Sequence, residues 1–395
     1  MTKTLDNFDV RAKRVFLRVD LNVPMRDGII TDMTRLDRVI PSILELVEKK
    51  AIVIIASHFG RPEGKKTPKF SLEPITRPLS AALGGKEIRF LGDCIGHDVI
   101  NAVEACKPGD IVLLENLRFH LGEEQNEMEF AKHLALLADV YINDAFSASH
   151  RAHASTVGLA SLLPSAAGRL MAAEITALGS VLGNPVKPLG AIVGGSKISS
   201  KLELLGNLVG KVDVLAIGGA MANTFLHALG TDIGKSMCES DMSGIARDIM
   251  VQADNADCEI LLPSDAVVAN KLSADALSQV VLTTAIPENM MIFDIGPGSA
   301  NSLATKLGKL KTLVWNGPLG AFEIPPFDAG TVMVAKVAAD LTRGGFLKTV
   351  AGGGDTVAAL STAEVVEDFS YVSTAGGAFL EWLEGKVLPG VEALN

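Results

Sequence analysis

The chain has 395 residues, 48% of them hydrophobic and 21% charged, which describes a globular protein with enough chain for two sizeable cores. Its formal net charge of −10 argues against general binding to nucleic acid or to an anionic membrane, since both reward a basic surface. The four cysteines, Cys94, Cys106, Cys238 and Cys258, show neither a disulfide framework nor zinc-like spacing, so reduced and mostly buried thiols are expected.

In chain order, the opening stretch MTKTLDNFDVRAKRVFLRVD has no apolar h-region, and no uninterrupted apolar run approaches the roughly 20 residues that span a bilayer. A cytoplasmic enzyme or binding protein is expected. RVFLRVD, AIVIIASH, IVLLEN and DVYIND then alternate with amphipathic stretches such as RVIPSILELVEKK, which reads as βαβ units on a parallel sheet. GRLMAAEITALGSVLGNPVKP reads as a helix closed by Gly183, Asn184 and Pro185, making Arg169 to Lys187 the connector between two halves. A second series follows: LGAIVGG, VDVLAIGG, CEILLPSD, MIFDIG, KTLVWNG and FLKTVAGGG. The expected architecture is therefore α/β, with two doubly wound parallel-sheet, Rossmann-like domains at 1–170 and 188–372, joined by a helix at 171–187.

Ligands of open parallel sheets bind beyond the carboxyl ends of the strands, and there the two halves differ. The first carries Arg18, Asp20 and Asn22 in RVDLNVP, His58 and Arg61 in SHFGRP, Arg118 in LENLRFH and Arg151 in SHRAHAST, with Arg35 near the start of a helix. Five arginines converging in an acidic chain imply a small ligand with several negative charges, because the guanidinium fork suits carboxylate and phosphate oxygens. Arg151 between His150 and His153 would oppose a metal cation, so an anion is the better reading of that stretch, with His150 an ordinary structural histidine as readily as a ligand. The second half has glycine-rich strand ends: GGSKISSK, GGAMANTF, DIGPGSAN, WNGPLGAFE, GGGDT and STAGGA. Singly each also serves strand–helix packing; together they are candidate phosphate cradles, where backbone approaches the ligand and helix N-termini offer N–H groups. Lys197 and Lys201, four residues apart at the opening of an expected helix, would place two ammonium groups on one face. Asp355 offers a lone carboxylate of the kind that holds Mg²⁺ alongside substrate phosphates, or a plain helix cap.

Taken in order, RVDLNVP, SHFGRP, LENLRFH, SHRAHAST, GGSKISSK, VWNGPLGAFE, GGGDT and LEGKVLPGV resemble the motifs of the phosphoglycerate kinase family over essentially the whole chain. The resemblance implies a monomeric glycolytic enzyme that binds 3-phosphoglycerate or 1,3-bisphosphoglycerate on the first domain and ADP or ATP with Mg²⁺ on the second. By motif, Arg18, Asp20, Asn22, Arg35, His58, Arg61, Arg118 and Arg151 correspond to the phosphoglycerate site. Lys197, Lys201, Asn316, Glu323, Gly352, Gly353, Gly354, Asp355 and Thr356 correspond to the nucleotide site, with Asp355 as metal ligand and Arg35, Lys197 and Lys201 nearest the chemistry. It also implies that the segment 373–395 returns to the first domain. Ala220, Ala375 and Phe379 depart from the family pattern, which bears on hinge and nucleotide-wall packing.

Two other classes compete. A nicotinamide dehydrogenase would share the sheets, but no strand end supplies its phosphate fingerprint cleanly, since Asn301 replaces the last glycine in GPGSAN. An anion-binding protein without catalysis would leave the lysine–glycine half unexplained.

Overall fold

The structure is a computed structural model that describes residues 2–26 and 28–395. It divides into two compact units, Met1–Thr176 with Val387–Asn395, and Ala177–Lys386. The division falls inside the helix Arg169–Leu178, which is shorter than expected and passes into a wider turn at Gly179–Gly183. The returning segment is also shorter than the expected 373–395. Residues 373–386 stay with the second unit, where Lys386 pairs with Glu203 and Asn207 donates to the carbonyl of Leu383.

The first unit holds a six-stranded parallel sheet whose spatial order is Ile88–Leu91, Ile111–Leu114, Ile52–Ala56, Arg14–Arg18, Val140–Asn143, Ser165–Ala167. Arg14–Arg18 is central: Leu17 sits in register with Ile55 on one side and Ile142 on the other. Val15, Phe16 and Leu17 are buried, as a strand covered on both faces requires. The amphipathic helix Thr34–Glu48 covers one face through Leu36, Val39, Ile43 and Leu46. Each such side chain removed from water stabilises the unit by about 1.5–3 kcal/mol. Arg169 starts the connecting helix by binding both Asp6 and Glu45, while Asp144 accepts from the Met171 N–H at 2.9 Å. The tail is held by Gly390, whose N–H donates to Ser149 at 2.8 Å and whose carbonyl accepts from Asn143.

In the second unit the parallel sheet runs Glu259–Leu261, Val214–Ile217, Leu189–Val193, Thr312–Asn316, Lys348–Gly352, Tyr371–Ser373. Leu189–Val193 and Thr312–Asn316 are parallel neighbours, but the order in which strands are added reverses between them, so a crevice opens beyond their carboxyl ends. One expectation fails here. MIFDIG does not join the parallel series: Met291–Ile295 lies in a separate antiparallel sheet with Asp265–Ala269 and Gln279–Leu282. Its apolar run matched a buried parallel strand in composition, and composition does not encode strand direction.

Candidate functional site

In the first unit the polar residues following the strands converge because each loop leaves the same edge of the sheet. Asp20 is buried and accepts from Arg35 Nη1 at 3.2 Å, from the Ser147 hydroxyl and from the Asn22 N–H. Burial alone would raise its pKa, but the Arg35 charge and these hydrogen bonds outweigh it and hold the carboxyl below the usual carboxylate range. Asn22 bridges two loops, accepting from the Gly60 N–H at 2.9 Å through its side chain and from Arg35 through its carbonyl. Arg118 donates to the Gly60 carbonyl at 2.9 Å and lies 3.3 Å from Glu124. Arg61 and Arg151 are exposed on the same set of loops.

His58 is buried, and Arg18 Nη2 lies 3.1 Å from its Nδ1. A guanidinium can only donate, so Nδ1 accepts and the ring proton sits on Nε2. Burial pushes the His58 pKa well down; Asp20 opposes this, while Arg18 and Arg118 reinforce it. The ring is therefore a neutral donor at neutral pH. His153, also buried, is pushed down to about 4 by burial and by Arg18 and Arg118.

Arg18, expected among the ligand-binding arginines, is buried. It is 0% exposed, and its guanidinium is used by Ser155 Oγ at 2.8 Å, the Val19 carbonyl, His58 and the equally buried Glu123 at 3.9 Å. Glu123 in turn accepts from the Ser155 N–H and hydroxyl at 2.9 and 2.6 Å. Arg18 thus forms the floor on which His58 rests. Glu123, Ser147 and Ser155 were missed in the sequence because nothing in their spacing marks them; only the sheet order brings Ser155 to Arg18.

In the second unit the crevice is built from backbone. A Cβ at Gly194 would lie 1.8 Å from the Pro318 carbonyl oxygen, so only glycine lets the two strand ends approach this closely. The expectation that Lys197 and Lys201 share a helix face is overturned: the helix begins only at Leu202, and both lysines lie in the loop before it. Lys197 is exposed. Lys201 Nζ turns inward and donates to the Gly194 carbonyl at 2.7 Å, the Asn316 carbonyl at 3.1 Å and Asn316 Oδ1 at 2.6 Å, which uses all three of its protons. Burial lowers its pKa to about 8, against the opposing pull of Asp355.

Asn316 is buried and donates to the Gly352 carbonyl at 2.8 Å, so its amide links neighbouring strand ends. Gly353 has φ +99°, and a Cβ there would lie 2.7 Å from Asn316 Nδ2. Thr356 is buried with its hydroxyl accepting from the Gly317 N–H at 2.7 Å, which fixes the loop from beneath. Gly354 and Asp355 are exposed in the first turn of the helix Gly354–Thr362. Phe379 packs beneath Gly352, where a Cβ would come within 2.7 Å of its ring.

Beside these loops opens a cavity of about 390 Å³. Its wall is largely apolar, with Ala220, Leu226, Ile292 and Leu319, while Glu323 and Asp355 supply carboxylates. Burial pushes the lining Asp294 up to about 7, against hydrogen bonds from the Gly330 and Ile295 N–H groups. An apolar slot of this size bordered by glycine loops and a helix N-terminus suits a planar base carrying phosphates.

The family model described as phosphoglycerate kinase matches residues 5–386. The chain is 57% identical to the phosphoglycerate kinase of Ruegeria sp. (strain TM1040) and 58% identical to that of Chelativorans sp. (strain BNC1), covering 100% of this chain and 99% of each relative. Its fold is similar to the solved phosphoglycerate kinase of Coxiella burnetii, with TM-score 0.92 and 43% identity over 100% of this chain and 99% of that one. Against the Pyrococcus horikoshii enzyme the TM-score is 0.81 at 31% identity, over 100% of this chain and 98% of that one. With a family model matched over residues 5–386, a curated relative 57% identical along the whole chain and a solved structure of the same fold, the chain belongs to the phosphoglycerate kinase family.

Proposed function

We propose that this kinase transfers a phosphoryl group reversibly and directly between 1,3-bisphosphoglycerate and ADP, giving 3-phosphoglycerate and ATP, and that it acts as a cytoplasmic monomer. The observation that carries this reading is the contrast between the units: an arginine-rich, anion-binding cluster on one, and a base-sized cavity with glycine loops on the other. Arg35, Arg61, Arg118, Arg151 and neutral His58 bind the carboxylate and phosphate of phosphoglycerate, while Asp20 and Asn22 hold Arg35 and Gly60 in place. The cavity takes the base and Glu323 the ribose; Gly352 to Gly354 and the helix beyond them receive the phosphates.

The donor chemistry suits magnesium. Asp355 is an exposed hard-oxygen donor on the cavity wall, and magnesium held mainly by phosphates and water needs one or two such carboxylates. When bound, the ion offsets charge on the phosphate oxygens. In the ATP-consuming direction the nucleophile is a carboxylate already ionised at neutral pH, so no general base is required and the protein's task is alignment and charge compensation. Acceptor and donor are assigned to separate units, so the units must bring them together and exclude water, with the Arg169–Leu178 helix and the STAGGA segment as hinges.

The deciding experiment is MgATP consumption dependent on 3-phosphoglycerate, with the acyl-phosphate product detected by coupled reduction. Turnover requiring both substrates and Mg²⁺ is expected, and nucleotide binding without turnover would overturn the reading.

Two further outcomes are expected. Arg35→Ala lowers kcat/KM for phosphoglycerate on the order of 10–100-fold, the value of a charged hydrogen-bonding group, with nucleotide affinity unchanged by calorimetry. Loss of nucleotide binding in that variant would contradict the assignment of substrates to units. Lys201 is cationic below about pH 8 and neutral above it, so kcat/KM for nucleotide should fall as pH rises through about 8. A flat profile to pH 9.5 would show that its charge does not support nucleotide binding.

A further inference from the structure

The spacing of the cysteines in the sequence gave no sign of a metal site, yet the fold brings one of them beside a histidine and an aspartate. Cys94 follows the strand Ile88–Leu91 and His120 follows Ile111–Leu114; the two strands pair in parallel with Leu91 opposite Leu114, so their loops leave side by side. One ligand atom each from Asp93, Cys94 and His120 lies within 4.8 Å of the others. Donors around a tetrahedral zinc ion, with bonds of roughly 2.0–2.3 Å, stand roughly 3.3–3.8 Å apart, so small side-chain adjustments suffice.

Access and orientation also fit. Cys94 is 1% exposed, whereas the Asp93 and His120 side chains are 46% and 28% exposed, so an ion arriving from solvent meets the oxygen and nitrogen before the sulfur. The His120 ring is stacked on Phe130 at 5.1 Å and 26°, and its Nε2 is 2.8 Å from Asp93 Oδ1. Asp93 Oδ1 also accepts from the Cys94 N–H at 2.7 Å, fixing the turn that carries the thiol. Burial, with the carboxylates of Asp93, Glu123 and Glu115, keeps the Cys94 thiol protonated in the absence of a cation, while the same carboxylates favour a cation beside it. No residue assigned to phosphoglycerate or nucleotide takes part.

We propose that Asp93, Cys94 and His120 form a zinc-binding site with water in the fourth position. Mixed sulfur, nitrogen and oxygen donors suit zinc, and three protein ligands leave the ion open. On binding, the Cys94 Sγ–H bond breaks, the proton passes to solvent and a sulfur–zinc bond forms. The Asp93–His120 hydrogen bond opens so that both side chains face the ion.

The test uses the full chain, freed of metal by chelator and titrated with Co²⁺ as a spectroscopic probe, then with Zn²⁺ in competition. One equivalent of Co²⁺ should give tetrahedral d–d bands and a thiolate charge-transfer band, both displaced by Zn²⁺. Cys94→Ser should abolish the charge-transfer band. Changes outside the ligand sphere already cost roughly 10–100-fold in metal affinity, so His120→Gln should cost roughly 100-fold or more. Circular dichroism checks each fold, and if Cys94→Ser does not fold, His120→Gln and Asp93→Asn, at partly exposed positions, carry the test. The proposal is overturned by absence of the charge-transfer band in the native chain, by its survival in Cys94→Ser, which would place the ion on Cys106, Cys238 or Cys258, or by unchanged affinity in His120→Gln. None of these outcomes depends on turnover.

Discussion

Lys197→Ala is expected to lower kcat by roughly 10²–10³-fold, the usual loss for one preorganised group that stabilises transition-state charge, while nucleotide affinity changes little. Lys197 is exposed in the loop 194–201, next to Ser196 on the cavity wall. Its neighbours are fixed: Ile198 is fully buried, and Ser199 is held by Glu239 through its N–H at 3.0 Å and its hydroxyl at 2.6 Å. The backbone at Lys197 is thus anchored while its ammonium can move to follow charge on the transferring group. Interactions made only in the transition state appear in kcat and not in ground-state binding. Steady-state kinetics with calorimetric titration of nucleotide separates the two, and an unaltered kcat would remove Lys197 from the chemistry.

The second large effect is on stability. Glu123→Ala is expected to destabilise the first unit by about 3–5 kcal/mol, the cost of leaving a buried charge without its partner. Arg18 is as deeply buried as Glu123, and the substitution would also strand the Ser155 N–H and hydroxyl. Both tryptophans, Trp315 and Trp382, lie in the second unit, so fluorescence does not report this transition directly. Hydrogen exchange in the strand Arg14–Arg18, followed in urea, does. A shift below about 1 kcal/mol would mean that Arg18 is satisfied without Glu123. KM for phosphoglycerate should rise as well, because Arg18 supports His58.

These two predictions rest on different kinds of information. Lys197 stood out in the one-dimensional pattern as a candidate, whereas Glu123 did not, although it sits only five residues after Arg118. Its importance comes from Ser155 and Arg18, both distant in sequence, and no local pattern announces that a glutamate will be buried.

By itself the sequence determined that strands alternate with helices, that arginines and histidines follow the strands of one half, and that glycines follow those of the other. These features are local: apolar periodicity sets the element, and the residue after a parallel strand emerges at the ligand-binding edge whatever the strand order. Only the tertiary structure decided which of those polar groups stay exposed at the strand ends and which meet each other. It buried Arg18 on Glu123, turned Lys201 away from Lys197 onto the ends of two strands, moved Met291–Ile295 into an antiparallel sheet and set Cys94 beside His120. In each case the deciding contact joins separate loops or strands, so its geometry depends on sheet order and on the cost of burying a charge or hydrogen-bonding group without a partner.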